Sequence, residues 1–178
     1  MWIAILCHSG FGGSSRIATQ LSFELARRGH KVHLFSRTTP PGCWENNHGV
    51  TLHRIISDHK DHIHPANLYV DWPDDEYHRF LTNLLRTITE EGIDVLHFHY
   101  ALPFAFLARD VKRFLGKTSP LLIGTLHGTD VAVYGRDSIN GPSLGNALLI
   151  MDGLTTVSLC HARLSAEVFG LPSCPEVI

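Results

Sequence analysis

The sequence predicts an open α/β fold, a mostly parallel sheet with helices on both faces. Short apolar runs alternate with stretches of helical periodicity in the order β-α-β-β-α-β-α-β-α-β-α. The first run, Trp-Ile-Ala-Ile-Leu-Cys at residues 2–7, is apolar at both alternating sets of positions, as a strand covered on both sheet faces requires. It then passes through a glycine-rich turn into a helix and a second strand. This is a β-α-β unit of about 35 residues, whose crossover is right-handed as a rule. Together these features make the fold class Rossmann-like.

The elements follow in order. Residues 13–28 read as a helix because Ile17, Leu21 and Leu25, with Ala18 and Ser22, recur at helical spacing, and Gly29 stands where a C-terminal cap belongs. Residues 31–36 (KVHLFS) form the second strand, and residues 50–56 a third, half-exposed one. Between them Pro40, Pro41, Gly42, Asn46 and Asn47 mark a loop. Residues 59–75 are polar and interrupted by Pro65 and Pro73, which predicts a long loop. Residues 76–91 are a helix with Phe80, Leu84, Leu85 and Ile88 on one face and Gly92 as its stop. Strand 94–99 precedes a helix at 103–115, with Pro103 in its first turn and Gly116 after it. Strand 121–126, helix 143–151, strand 153–157 and helix 159–169 complete the pattern, and residues 175–178 open a further strand. Residues 1–173 read as one domain.

Composition narrows the function. The chain has 178 residues, enough to bury a core without a disulfide or metal staple. Fifteen Lys and Arg against 17 Asp and Glu give a net charge of −2, which argues against nucleic acid as a partner. Apolar runs such as residues 2–7 and 147–151 fall far short of the roughly 20 residues a membrane span needs. No basic residue leads into the first run as a secretory signal requires. Cys7, Cys43, Cys160 and Cys174 are widely spaced with no C-x-x-C, which reads as reduced thiols in a cytoplasmic protein.

Ligands of open α/β sheets bind at the carboxyl ends of the strands. That rule selects residues 9–15, 97–103 and 127–130. In the first, Gly10-Phe11-Gly12-Gly13-Ser14-Ser15-Arg16 lets backbone approach a ligand and offers free N–H groups at a helix start, a setting for phosphate or carboxylate. It lacks the Gly-Lys-[Ser/Thr] of a P-loop, and Ser15 stands where a dinucleotide turn has its third Gly or Ala. An NADP-binding oxidoreductase module stays open, with Arg37 taking the 2′-phosphate. In the second, His97 and His99 lie two apart on one strand and share a side, beside Tyr100. In the third, His127-Gly128-Thr129-Asp130 brings an imidazole, a glycine, a hydroxyl and a carboxylate, although Thr129 or Asp130 could equally cap the next segment. The tract His59-Lys60-Asp61-His62-Ile63-His64 resembles a metal ligand set, but a solvated loop explains it better in a chain of 13 histidines. The acids of Asp71-Trp72-Pro73-Asp74-Asp75 suit the positive end of the following helix.

Four motifs occur in order: GGSSRIATQL with RGHKVHL, then DVLHFHYALP, then TLHGTDV, and finally DGLTTVS. In this order they resemble the N-terminal domain of family 4 retaining glycosyltransferases of GT-B fold. The resemblance covers most of the chain outside residues 37–75. It implies an acceptor-side domain at 1–173, the start of an inter-domain linker at 174–178, and a separate donor-binding domain beyond this chain, without which the chain is expected to be inactive. It implies a nucleotide-sugar donor, UDP-linked and N-acetylglucosamine-like, and a small acceptor that is malate-like or a sugar. No cofactor or metal is implied. A homodimer is left open, as is a peripheral membrane position if the acceptor is lipid-linked.

The resemblance also assigns residues. His127 is the catalytic residue, touching the donor sugar, with its main-chain carbonyl facing the anomeric carbon. Gly12, Gly13, Ser14 and Arg16 approach the donor phosphate. His99, Tyr100, Gly128, Thr129, Asp130 and Ser158 belong to the acceptor side. Malate-using relatives carry an arginine in the helix before the last motif. Residues 139–151 here hold no Lys or Arg, and Leu159 replaces a polar residue after Ser158, so Arg136 or Arg16 has to supply the cation for an acidic acceptor. A non-catalytic sugar- or phosphate-binding domain is the remaining alternative.

Overall fold

The computed structural model describes residues 1–10, 12–43, 49–55 and 72–178. The histidine tract at 59–64 and most of the predicted loop at 59–75 lie outside the described residues. The chain forms two compact units, Met1–Leu96 and His97–Ile178.

The first unit runs β1 (Trp2–Leu6), α1 (Gly13–Arg27), β2 (Lys31–Ser36), β3 (Val50–Arg54) and α2 (Asp74–Glu91), and ends in the first residues of β4 (Val95–His99). β1 pairs parallel with β2, from Trp2 opposite Lys31 to Leu6 opposite Phe35, and β2 pairs parallel with β3, from Val32 opposite Val50 to Ser36 opposite Arg54. Ile3, Ala4, Ile5 and Leu6 are all buried, so β1 is covered on both faces as its unbroken apolar run predicts. Ile3, Ile5, Cys7, Val32 and Leu34 share a core cluster with Ala18, and Leu21 and Leu25 pack against it. The sequence places Ile17 on this inner stripe, yet Ile17 is exposed. The stripe of α1 that is fully buried is Ser15, Ala18, Thr19 and Ser22. Small side chains let the helix lie close on the strands, and Ser22 Oγ donates to the Ala18 carbonyl at 2.8 Å, so its hydroxyl is satisfied without solvent.

Aromatic rings of this unit stack around Phe35, which lies parallel to the His53 ring at 4.2 Å and meets Phe80 at 6.1 Å; Phe80 in turn packs on Trp72. Beside them Arg37 is buried. Its guanidinium pairs with the buried carboxylate of Glu76 and lies over the Trp72 ring at 5.1 Å. Asp74, Asp75 and Glu76 fill the first turn of α2, as the acidic run predicts, and α2 therefore starts two residues earlier than expected.

The second unit continues from the end of β4 through α3 (Ala101–Leu115), β5 (Leu121–Leu126), α4 (Thr129–Ala132), α5 (Asn140–Leu148), β6 (Gly153–Thr156), α6 (Leu159–Phe169) and β7 (Glu176–Val177). β5 pairs parallel with β6, and β6 with β7. Gly124 in β5 is required by packing: a Cβ there would lie 2.3 Å from the Phe98 ring. α3 begins two residues before its predicted start, with Leu102 outside helical geometry ahead of Pro103. α5 spans 140–148 rather than 143–151 because Asp137 Oδ1 accepts the N–H groups of Ile139 and Asn140, which starts the helix early.

One device appears in both units. The Trp2 N–H donates to Asp94 Oδ2 while the Asp94 N–H donates to the Trp2 carbonyl; Leu122 and Asp152 repeat the reciprocal pair. Each aspartate precedes a strand and fixes its register against the neighbour. Among the described residues no helix is long and apolar enough to cross a membrane.

Candidate functional site

In the first unit, β1 is followed by buried Cys7 and His8, and α1 opens at Gly13 with Gly12 as its extended N-cap. Gly12 supplies no side-chain oxygen, and no acidic residue stands in the first turn. The opening N–H groups of a 15-residue helix are thus left without a side-chain cap. A Cβ at Gly13 would meet nothing within 4 Å, so a ligand has room to approach the backbone there. Gly12, Gly13 and Arg16 are exposed and Ser14 is half-buried.

The other predicted residues lie together in the second unit, and Asp130 organises them. Its carboxylate is fully buried. It accepts the main-chain N–H of Gly128 at 2.7 Å, of His127 at 3.1 Å and of Ala101 at 3.0 Å. The first two shape the 127–130 loop, while the helix that follows has Gly128 as its N-cap and no side-chain cap, so neither Thr129 nor Asp130 caps it; the third ties that loop to the end of β4. Burial raises the Asp130 pKa, opposed by these N–H donors.

Beside it Tyr100 has φ +83°, a left-handed backbone that is strained for a bulky residue. Its N–H still donates to the Thr125 carbonyl, while its phenol meets the Thr129 hydroxyl at 2.8 Å. Burial pushes the phenol's pKa upward, so it stays protonated. Gly128 has φ +126°, which only glycine adopts without strain.

Three imidazoles line the strand ends. His97 and His99 share a side, as their spacing predicts, with ring centroids 4.5 Å apart, and the His127 ring is 5.3 Å from His99. His99 Nδ1 lies 3.1 Å from His127 Nε2. His97 Nε2 lies 2.7 Å from Thr125 Oγ1, which lies 2.7 Å from Thr155 Oγ1. Burial lowers His97 and His127 to pKa values of about 4 and His99 well below its ordinary value. All three are neutral at pH 7. Among the described residues no group of three His, Cys, Asp or Glu is arranged to hold a metal ion.

Ser158 is the N-cap of α6, and its Oγ accepts the His161 N–H at 3.2 Å. The His161 ring in turn lies over Gly128, 3.0 Å from where a Cβ would stand. Sequence reasoning missed His161, Thr125 and Thr155. For the threonines a signal existed: two polar positions inside short strands, which are expensive to bury unless they bond something.

Arg37 does not serve the NADP alternative. Its guanidinium is buried against Glu76 and Trp72, so no charge is left there to receive a 2′-phosphate. Arg136 is exposed and lines a shallow cleft of about 430 Å³ with Ser138, Gly141 and Asn146.

Residues 11–178 match the family model described as Glycosyltransferase Family 4. The chain is 31% identical over 147 residues to N-acetyl-alpha-D-glucosaminyl L-malate synthase of Bacillus anthracis, an alignment covering 82% of this chain and 35% of that protein. Among solved structures, a glycosyltransferase from Rickettsia africae superposes with a TM-score of 0.68 at 13% identity, over 96% of this chain and 40% of that one. The Anabaena HepE protein, crystallised with UDP and glucose, superposes with a TM-score of 0.63 at 10% identity, over 93% of this chain and 40% of that one. The chain thus spans 35–40% of the length of these relatives. With the family model matched across nearly all of it and the fold of glycosyltransferases in its strands and helices, the chain belongs to glycosyltransferase family 4.

Proposed function

We propose that the chain is the acceptor-side domain of a retaining glycosyltransferase. It serves transfer of an N-acetylglucosamine-like sugar from a UDP-linked donor to a small hydroxyl acceptor, malate-like or a sugar. The observation that carries this reading is the Asp130-tied loop, which sets His127, Gly128 and Thr129 beside His99 and Tyr100. The family and the name of the Bacillus anthracis relative supply the chemistry.

In this reading the remaining length of the enzyme binds the nucleotide. The N–H groups of Gly13 and Ser14 and the Arg16 side chain meet the donor's phosphates. His127 touches the donor sugar, and Tyr100, Thr129 and Ser158 border the acceptor. Asp130 acts from beneath, by holding the loop, because its carboxylate is filled by main-chain donors. A front-face transfer passes through an oxocarbenium-like state, stabilised by oriented dipoles and a well-placed leaving group. It asks for no carboxylate nucleophile of the kind glycosidases use. An acidic acceptor would draw on Arg136 or Arg16.

The test is a product assay on the complete enzyme with UDP-N-acetylglucosamine and a panel of malate, free sugars and lipid-linked sugars. Transfer with retained anomeric configuration, unaffected by EDTA, is the expected result. His127→Ala should lower turnover at least about tenfold with donor affinity little changed. An inverted product, loss of activity on chelation, or unchanged turnover of the variant would each refute a named part of the proposal.

A further inference from the structure

The contact between His99 and His127 has a consequence for how His127 meets a ligand. His99 Nδ1 and His127 Nε2 are 3.1 Å apart, and both rings are neutral. A neutral imidazole carries one N–H and one lone pair, so one ring donates and the other accepts. Two arrangements exist. If His127 donates from Nε2, His99 carries its proton on Nε2, and that N–H is buried with no partner among the described residues. If His99 donates from Nδ1, its Nε2 is a bare lone pair in the same buried place. An orphaned buried N–H is the rarer and costlier of the two.

We infer that His99 is a positioning residue that donates to His127 Nε2, holding His127 in the Nδ1–H tautomer so that it faces a ligand as a hydrogen-bond donor. His127 is half-buried, and with Nε2 turned to His99, Nδ1 is the nitrogen left for that ligand. The partner it selects is an acceptor oxygen, a sugar hydroxyl or a phosphate oxygen, and a proton-abstracting role at Nδ1 is ruled out. His97 cannot substitute for His99, because its Nε2 is committed to Thr125. This assigns His99 to the loop's internal support rather than to the acceptor, consistent with its full burial. The use of the donor rests on the glycosyl-transfer reading; the tautomer does not.

Long-range ¹H–¹⁵N correlation spectra of the ¹⁵N-histidine-labelled chain at pH 7.5 read the tautomer directly, with His127→Gln assigning the signals. The expected pattern for His127 is a pyrrole-like Nδ1 and a pyridine-like Nε2. The reverse pattern would overturn the inference even if transferase activity is found. His99→Phe, which has no donor, should shift His127 toward Nε2–H, whereas His99→Gln, whose amide can still donate, should preserve Nδ1–H. An unchanged His127 pattern in folded His99→Phe would also overturn it, and the wild-type spectrum decides the matter alone if that variant does not fold. In the transfer assay of the complete enzyme, His99→Phe should lose turnover by about tenfold with donor KM unchanged, and His99→Gln should recover most of it. Failure of that assay with the expected spectra would fault the functional reading and leave the tautomer standing.

Discussion

The Asp130 carboxylate accepts the Ala101 main-chain N–H at 3.0 Å across 29 residues of sequence. It joins the end of β4 to the loop after β5, and with the N–H groups of His127 and Gly128 it gives three main-chain donors one shared acceptor group. Asp130→Ala would strand three donors. The expected cost is about 3–5 kcal/mol, with Asp130→Asn, which keeps one acceptor oxygen, losing less. Urea unfolding measures both, and a cost below about 1 kcal/mol for the alanine variant would refute the role.

The buried Arg37–Glu76 pair makes a second prediction. Glu76→Gln leaves the guanidinium with a weaker partner in a dry site and should destabilise by about 3 kcal/mol. Arg37→Met combined with Glu76→Leu should recover most of that, because desolvation of both charges disappears along with their attraction. A double variant less stable than the single one would contradict this account.

Two glycines should respond in opposite ways. Gly124→Ala drives a Cβ into the Phe98 ring and should cost about 1–3 kcal/mol. Gly13→Ala enters open space at the start of α1 and should be neutral or stabilising by up to about 1 kcal/mol, since alanine favours helix. If the turn meets the donor's phosphates, Gly13→Ala should nevertheless weaken donor binding in the complete enzyme. Calorimetric titration separates the fold effect from the binding effect.

Acid should destabilise the fold. Burial holds His97 and His127 near pKa 4 and His99 well below its ordinary value, and His53 in the other unit also sits at about 4. The unfolded chain binds protons at these sites from about pH 6.5 downward. Their contribution is therefore fully present above pH 6.5 and is lost as pH falls toward 4. Between pH 7.5 and 5 the unfolding free energy should drop by at least about 2 kcal/mol, and His97→Phe should flatten that slope. A midpoint that is flat or rises over this interval would refute the burial of these rings.

Local sequence sets the order of the elements, the parallel class of the sheet and the three polar loops at the strand ends. Those are local properties. The apolar run of β1, the glycine stops at Gly92 and Gly116 and the acidic start of α2 each state their preference within a few neighbouring residues. The inner face of α1 was misread because periodicity counts large apolar side chains, while close packing on strands selected Ser15, Ala18, Thr19 and Ser22. The start of α5 differs because Asp137, two residues ahead of the N-cap Ile139, accepts the Ile139 and Asn140 N–H groups, a contact that composition does not announce.

Tertiary structure alone decided which polar residues meet. Spacing aligned His97 with His99, but nothing local brings His127 to 3.1 Å from His99, Asp130 under Ala101 or Tyr100 onto Thr129. Each of these contacts spans 28 or 29 residues and exists because two parallel strands end side by side. The same holds for Arg37, whose charge is free to bind a phosphate when read along the chain and is neutralised by Glu76 once the chain folds. A hydrogen bond or ion pair depends on distance in space, and sequence separation carries no information about that distance until strand pairing has fixed it.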